Sequence, residues 1–225
     1  MKLYIVSTPI GNLKDITLRA IETLRDVDFI ICEDTRVTVN LLNHYEIKKE
    51  LISLNAFNEK NKIDPLINRI LESQNAALVS DAGTPSISDP GVRFISSCIR
   101  NGIQVIPIPG ATALISALSI SGLRTDSFIF EGFLPLKKGR QTKLKSLSNE
   151  DRTIIIYESM HRIEKLLNEL SQFMPERFIV VCREITKKFE ETWRGYPNEI
   201  LDSLDKKVVK GEFAVIISPI SWKQY

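Results

Sequence analysis

The hydrophobic positions of the first hundred residues fall in short unbroken runs. Leu3–Ser7, Asp28–Cys32, Ala76–Ser80 and Gln104–Ile108 are rich in β-branched residues and are bounded by turn formers. Runs of this length without polar alternation predict strands covered on both faces. Between them the apolar residues switch to helical spacing. Leu18, Ile21 and Leu24 follow Thr17, a suitable N-cap. Similar patterns cover Pro65–Leu71 and Gly91–Arg100, with Gly102 at the C′ place. Strands alternating with helices predict a mainly parallel, twisted sheet.

The pattern restarts after Ile108-Pro109-Gly110. A helix is expected over Ala111–Ile120, closed by Ser121-Gly122. Strands are expected at Ser127–Glu131, Thr153–Tyr157, Phe178–Cys182 and Phe213–Ser218, with helices at Arg162–Phe173 and Pro197–Leu204. Glu190–Arg194 also fits a strand. A boundary near Gly110–Thr125 gives two α/β domains, 1–112 and 113–225, each of a common domain size.

Composition narrows the class. The 225 residues are 43% hydrophobic and 26% charged, which excludes a chain disordered throughout. The apolar start stops at Pro9, too short for a signal segment, and no window nears the roughly 18 uninterrupted apolar residues of a membrane span. A cytoplasmic protein is expected. Cys32, Cys98 and Cys182 lie far apart in apolar runs, so they read as buried thiols, and no metal pattern is present. The net charge of +2 neither requires nor forbids a nucleic-acid partner. The sharper feature is Leu136–Leu147, where Lys137, Lys138, Arg140, Lys143 and Lys145 occur without an acid. It reads either as a solvated loop and helix start or as a mobile arm touching RNA phosphates.

Candidate chemistry gathers where predicted strands end, the edge at which open α/β sheets bind ligands. Pro9-Ile10-Gly11-Asn12-Leu13 is a tight turn without a nucleotide-phosphate fingerprint. Glu33-Asp34-Thr35-Arg36 places charge after the second strand, or caps the next helix. Val79–Gly91 holds two Pro, two Gly and two Asp, which let backbone pass close to a bulky ligand. There Thr84 and the backbone at Ile87 can hydrogen-bond, and Asp81 or Asp89 can pair with a positive group. Pro109-Gly110-Ala111-Thr112 opens a helix with small residues, as a ligand turn or a simple hinge. Tyr157–Arg162 and Arg183–Lys187 put further polar groups at strand ends, where His161 reads as a cap or structural histidine. No Ser/His/Asp or Cys/His set can be assembled. The residues alone suggest transfer or binding of a small polar ligand at a site between the two domains.

Seven segments carry a resemblance. STPIGNLKDITLRA, CEDTR, VSDAGTPSISDPG, PIPGATALISAL, FEGFLP, YESMHR and CREITK run in order across almost the whole chain. Together they resemble the tetrapyrrole-methylase-like (class III) S-adenosylmethionine-dependent methyltransferases. The branch they match best implies 2′-O-methylation of a cytidine ribose in the decoding centre of 16S rRNA, with the 30S subunit as partner. A methyltransferase acting on a tetrapyrrole or corrinoid precursor is the alternative, and a non-catalytic RNA-binding protein of the same fold is a second rival. The resemblance implies two αβα domains with a cleft between them, a homodimer, and S-adenosyl-L-methionine folded into the cleft. Its cofactor residues would be Asp81, Thr84, Ile87, Thr112, Ala113, Tyr157 and Ala214. Proton acceptors would come from Glu33, Asp34 and Lys187, the last only if burial among cations lowers its pKa. RNA contacts would come from Arg36, Lys137, Lys138 and Arg140. Members of the branch often carry His where this chain has Val37, so no base is expected there. Many also extend further at the C-terminus, which would shift RNA gripping here onto the basic arm or a dimer partner.

Overall fold

A computed structural model describes residues 1–223. Their contacts fall into two units, Met1–Thr112 and Ala113–Tyr225.

The first unit holds five strands, β1 (Lys2–Val6), β2 (Phe29–Cys32), β3 (Glu50–Ser53), β4 (Asn75–Val79) and β5 (Gln104–Ile108), in the order β3-β2-β4-β1-β5. Every neighbouring pair is parallel. The four helices are α1 (Leu18–Asp26), α2 (Thr35–His44), α3 (Glu59–Ser73) and α4 (Val92–Arg100). Successive strand residues point to opposite faces, and both faces are covered. Phe29, Ile31, Ala76 and Leu78 pack with Leu66, Ile70, Phe94 and Cys98 of α3 and α4. Ile30, Cys32, Ala77 and Val79 pack with Ala20, Leu24 and Leu42 of α1 and α2. This two-sided burial explains the unbroken apolar runs. Thr17 caps α1 by accepting the Ala20 N–H at 3.1 Å. The sheet has one strand more than the sequence pattern suggests: β3 is a four-residue edge strand. The helix expected over Pro65–Leu71 begins six residues earlier, at Glu59, with Pro65 inside it.

In the second unit the strands are β6 (Phe128–Phe133), β7 (Thr153–Ser159), β8 (Ile179–Arg183), β9 (Glu191–Gly195) and β10 (Glu212–Ile217), ordered β6-β7-β10-β8-β9. Only β6 and β7 are parallel; β10 runs antiparallel to both its neighbours and β8 to β9. The mainly parallel expectation therefore describes the first sheet and not this one. The helix α5 (Ala113–Ser119) covers one face through Ala117 and Leu118. On the other face lie α6 (Arg140–Leu147), α7 (Ile163–Phe173) and α8 (Pro197–Asp202), through Leu144, Leu147, Leu166, Leu170 and Ile200. Each unit is thus an αβα layer. Among the described residues no helix is long and apolar enough to cross a membrane.

Candidate active site

All five strands of the first sheet point the same way, so the segments after β1, β2, β4 and β5 emerge along one edge. Backbone hydrogen bonds tie them together. Thr8 and Gly83 form an isolated bridge, N–H to carbonyl at 2.9 and 3.1 Å. The Ser7 and Thr84 hydroxyls lie 2.9 Å apart, and Thr84 Oγ1 donates to the Ala111 carbonyl at 3.4 Å. Thr84 is therefore the pin that joins the loop after β4 to the ends of β1 and β5. Sequence reasoning does not reach Ser7 and Thr8, although STPIG places them at a strand end.

Glycine is required at two of these points. Gly83 has φ +81°, a conformation costly for other residues. At Gly110 an added Cβ would come within 2.9 Å of Ser7 Cβ. The loop also holds Ser86 and Ser88 at φ +66° and +68°, left-handed values that mark strain in non-glycine residues. Ile87 between them is 42% exposed. The result is a bare, small-residue backbone with an exposed apolar tip.

Four carboxyl groups gather on this edge. Asp34 caps α2 by accepting the Arg36 N–H at 2.8 Å, and the Arg36 guanidinium grips both of its oxygens. Hydrogen bonding to Arg36 holds the Asp34 carboxyl down at about 2. Asp81 accepts the Asp34 N–H at 3.0 Å, and burial raises its pKa. Burial also raises Glu33, with Asp81, Asp89 and Asp34 adding repulsion. Asp89 is pushed up to about 6 by burial; a hydrogen bond from Ser80 opposes the rise and Asp81 adds to it. Of the proton acceptors expected here, Glu33 has the environment of a base, whereas Asp34 is a capped, ion-paired carboxylate. Arg36 is largely exposed, but its guanidinium is engaged by Asp34. No group of His, Cys, Asp and Glu suited to a metal exists among the described residues.

In the second unit Tyr157 on β7 lies directly opposite Ala214 on β10. Ala214 is buried, and Tyr157 is packed edge-on by Phe130 at 4.9 Å and Phe133 at 5.9 Å between ring centres. Thr112 and Ala113, which bracket the start of α5, are both half-buried.

Two expected roles are corrected by the surroundings. Burial opposes the charge on Lys187, but the carboxylates of Glu184 and Glu212, each 2.9 Å from Nζ, outweigh it and raise its pKa. Lys187 lies among anions, not cations, so it is a poor proton acceptor. Arg140 is not on a solvated arm. It is 2% exposed, and its Nε bonds Glu169 at 2.8 Å while Nη2 faces Glu158 at 3.4 Å. Glu158 is itself fully buried and also pairs with Arg162 at 2.7 Å. Arg140 and Arg162 donate to the Pro135 and Leu134 carbonyls, both at 3.3 Å. Composition and motif spacing do not reveal this network; its one sequence signal is the four-residue spacing of Glu158 and Arg162 within YESMHR. Lys137 and Lys138 remain exposed. All three cysteines are free and buried, and burial pushes Cys98 up to about 12 and Cys182 up to about 11.

The family model described as tetrapyrrole (corrin/porphyrin) methylases matches residues 2–200. A protein of Synechocystis sp. named ribosomal RNA small subunit methyltransferase I is 50% identical over 96% of this chain and 78% of its own length. One of Thermotoga maritima with the same name is 46% identical, over 96% of this chain and 98% of its own. Among solved structures, the uroporphyrin-III C-methyltransferase of Thermus thermophilus complexed with S-adenosyl homocysteine aligns with TM-score 0.68 at 17% identity, covering 97% of both chains.

Proposed function

The chain belongs to the tetrapyrrole (corrin/porphyrin) methylase family, and from that premise we propose that it transfers the methyl group of S-adenosylmethionine to the 2′-hydroxyl of a cytidine ribose in the decoding centre of 16S rRNA. The observation that carries this reading is the near-full-length identity, 46–50%, to proteins named for methylating the small-subunit ribosomal RNA.

The edge of the first sheet suits the donor. The exposed Ile87 at the tip of this small-residue loop offers an apolar surface to a nucleoside, and Asp81 offers a carboxylate to a cationic or hydroxylated group. Asp81, Thr84, Ile87, Thr112, Ala113, Tyr157 and Ala214 would hold it. The bound donor would supply a methyl activated by a sulfonium, whose sulfur departs as a neutral thioether without protonation. The residues of this chain therefore need only to orient the acceptor oxygen, exclude water and take up one proton. Glu33 is the proton acceptor in this reading: burial and the neighbouring carboxylates of Asp81 and Asp89, both on the donor loop, raise its pKa above the ordinary glutamate value. Arg36, Lys137 and Lys138 would meet RNA phosphates, and a homodimer in the cytoplasm would act on the 30S particle.

The test is transfer of tritiated methyl from S-adenosylmethionine to undermethylated 30S subunits, with a cobalt-precorrin as the competing acceptor. Label in 16S rRNA at a 2′-oxygen is expected. Label in the corrinoid alone would favour a tetrapyrrole substrate. Glu33→Gln should lower kcat by about a hundredfold or more, the range for loss of a general base, with the dissociation constant for S-adenosylmethionine unchanged. An unchanged kcat would remove Glu33 from the mechanism.

A further inference from the structure

An open groove of about 570 Å³ runs between the end of β6 and α6, lined by Glu131, Phe133, Pro135, Thr142, Lys143 and Ser146 among others. It owes its shape to a bulge. Phe130 pairs with Ile155 and Gly132 with Ile156, so Glu131 is an extra residue without a counterpart on β7. Bulges re-aim the side chains around them. Here Glu131 turns to bond Lys143 Nζ at 2.7 Å, and Phe133 stands at the groove with 53% of its surface exposed.

Phe133 is exposed but not loose. It packs edge-on to Tyr157, and the Arg162 guanidinium carbon lies 5.9 Å from its ring centre. Arg162 is fixed in turn by buried Glu158 and the Leu134 carbonyl. The platform is therefore held in place before any ligand arrives. The exposed Lys137 and Lys138 lie in the chain segment between Pro135 and Gly139, two residues of the lining, and Thr142 and Ser146 add hydroxyl-bearing residues to it. A fixed aromatic face next to cations is the chemistry that takes an unpaired nucleotide: the base stacks and the phosphates pair with ammonium groups. An acidic peptide would use the lysines and leave the ring unused.

We propose that this groove binds one unpaired nucleotide of the RNA substrate, its base stacked on Phe133 and its flanking phosphates against Lys137 and Lys138. The proposal rests on the reading of the chain as an RNA methyltransferase. Phe133 packs against Tyr157, one of the side chains proposed above to hold the donor.

The experiment uses the full chain and a short single-stranded oligoribonucleotide carrying 2-aminopurine, whose fluorescence falls on stacking. Wild type and Phe133→Trp should quench it. Phe133→Leu keeps an apolar side chain against Tyr157, and it should bind about tenfold more weakly and leave the fluorescence unquenched at saturation. Lys137→Gln with Lys138→Gln should weaken binding but preserve quenching at saturation. Quenching by Phe133→Leu with wild-type affinity overturns the proposal. Equal losses in the Leu and Trp variants, with lowered thermal stability in both, also overturn it, because Phe133 is then only a packing residue. If wild type labels 30S subunits and the Leu variant is indistinguishable from it, the subsite falls and the methylation reading stands. If quenching follows the expected pattern but no RNA is labelled, the subsite is supported and the methylation reading falls.

Discussion

Asp89 shows how a single side chain reports its surroundings. Its carboxyl titrates at about 6, against an ordinary value of 3.8, because burial disfavours the charge and Asp81 adds repulsion. A raised carboxyl pKa means that the folded chain binds more protons than the unfolded chain between about pH 4 and pH 6. Stability must then fall as pH climbs through that window, and the loss is complete above it. Asp89→Asn removes the loss. The variant is expected to exceed wild type by about 1 kcal/mol at pH 7.5, once the rise is discounted for partial exposure, and to converge with it near pH 4. Urea denaturation at the two pH values measures this, and an equal advantage at both would mean that the charge on Asp89 is not the cause. The carboxyl cluster is legible in the sequence because strand ends can be read from apolar runs, and Glu33, Asp34 and Asp81 follow two of them. The fate of individual cations is not. Lys187 and Arg140 read as solvent-facing or base-like within basic stretches; Glu184 lies three residues from Lys187, but the second partner of Lys187, Glu212, and the Arg140 partner Glu169 lie 25 and 29 residues away.

Among the elements, α6 is anchored by a buried charge. It starts at Arg140, whose guanidinium lies buried against Glu158 and Glu169. Removing one partner of a buried ion pair leaves the other charge stranded, which costs about 3–5 kcal/mol. Arg140→Ala is therefore expected to lower the thermal midpoint by about 6 °C or more, whereas Lys138→Ala, two residues away and exposed, should leave it within about a degree. Calorimetry on the two variants distinguishes a structural arginine from a surface one; equal midpoints would contradict the network. Legibility at this scale follows the same logic. Strands with unbroken apolar runs and helices with clear caps can be placed from sequence. The edge strand β3, the four residues Glu50–Ser53, is too short and too polar to stand out. In α3, Pro65 looks like a helix start, the place where its missing N–H does least harm, but the helix already runs from Glu59. The antiparallel turn of the second sheet is hidden because apolar runs show burial and not direction.

For the molecule as a whole, a net charge of +2 is too small to grip a polyanion, so any RNA affinity must come from local clusters. With Arg140 buried, the exposed part of the basic run reduces to Lys137, Lys138 and their neighbours. Replacing both lysines by Gln should flatten the dependence of log K on log salt for 30S binding by about two units, near one for each phosphate no longer neutralised. Filter binding across a salt series measures this slope, and an unchanged slope would place the RNA contacts elsewhere. The two sheets also differ in when they can exist. The first has all five strands once Ile108 has been added. The second cannot join its halves until Glu212–Ile217 arrives, because β10 lies between β7 and β8 and supplies the hydrogen bonds to both. While the chain is still being made, the early unit can fold ahead of a late one that shows two open, largely apolar strand edges, a form prone to stick to other chains. A chain truncated near Lys210 is thus left with two unpaired strand edges, and the residues from Glu212 to Ile217 close both at once.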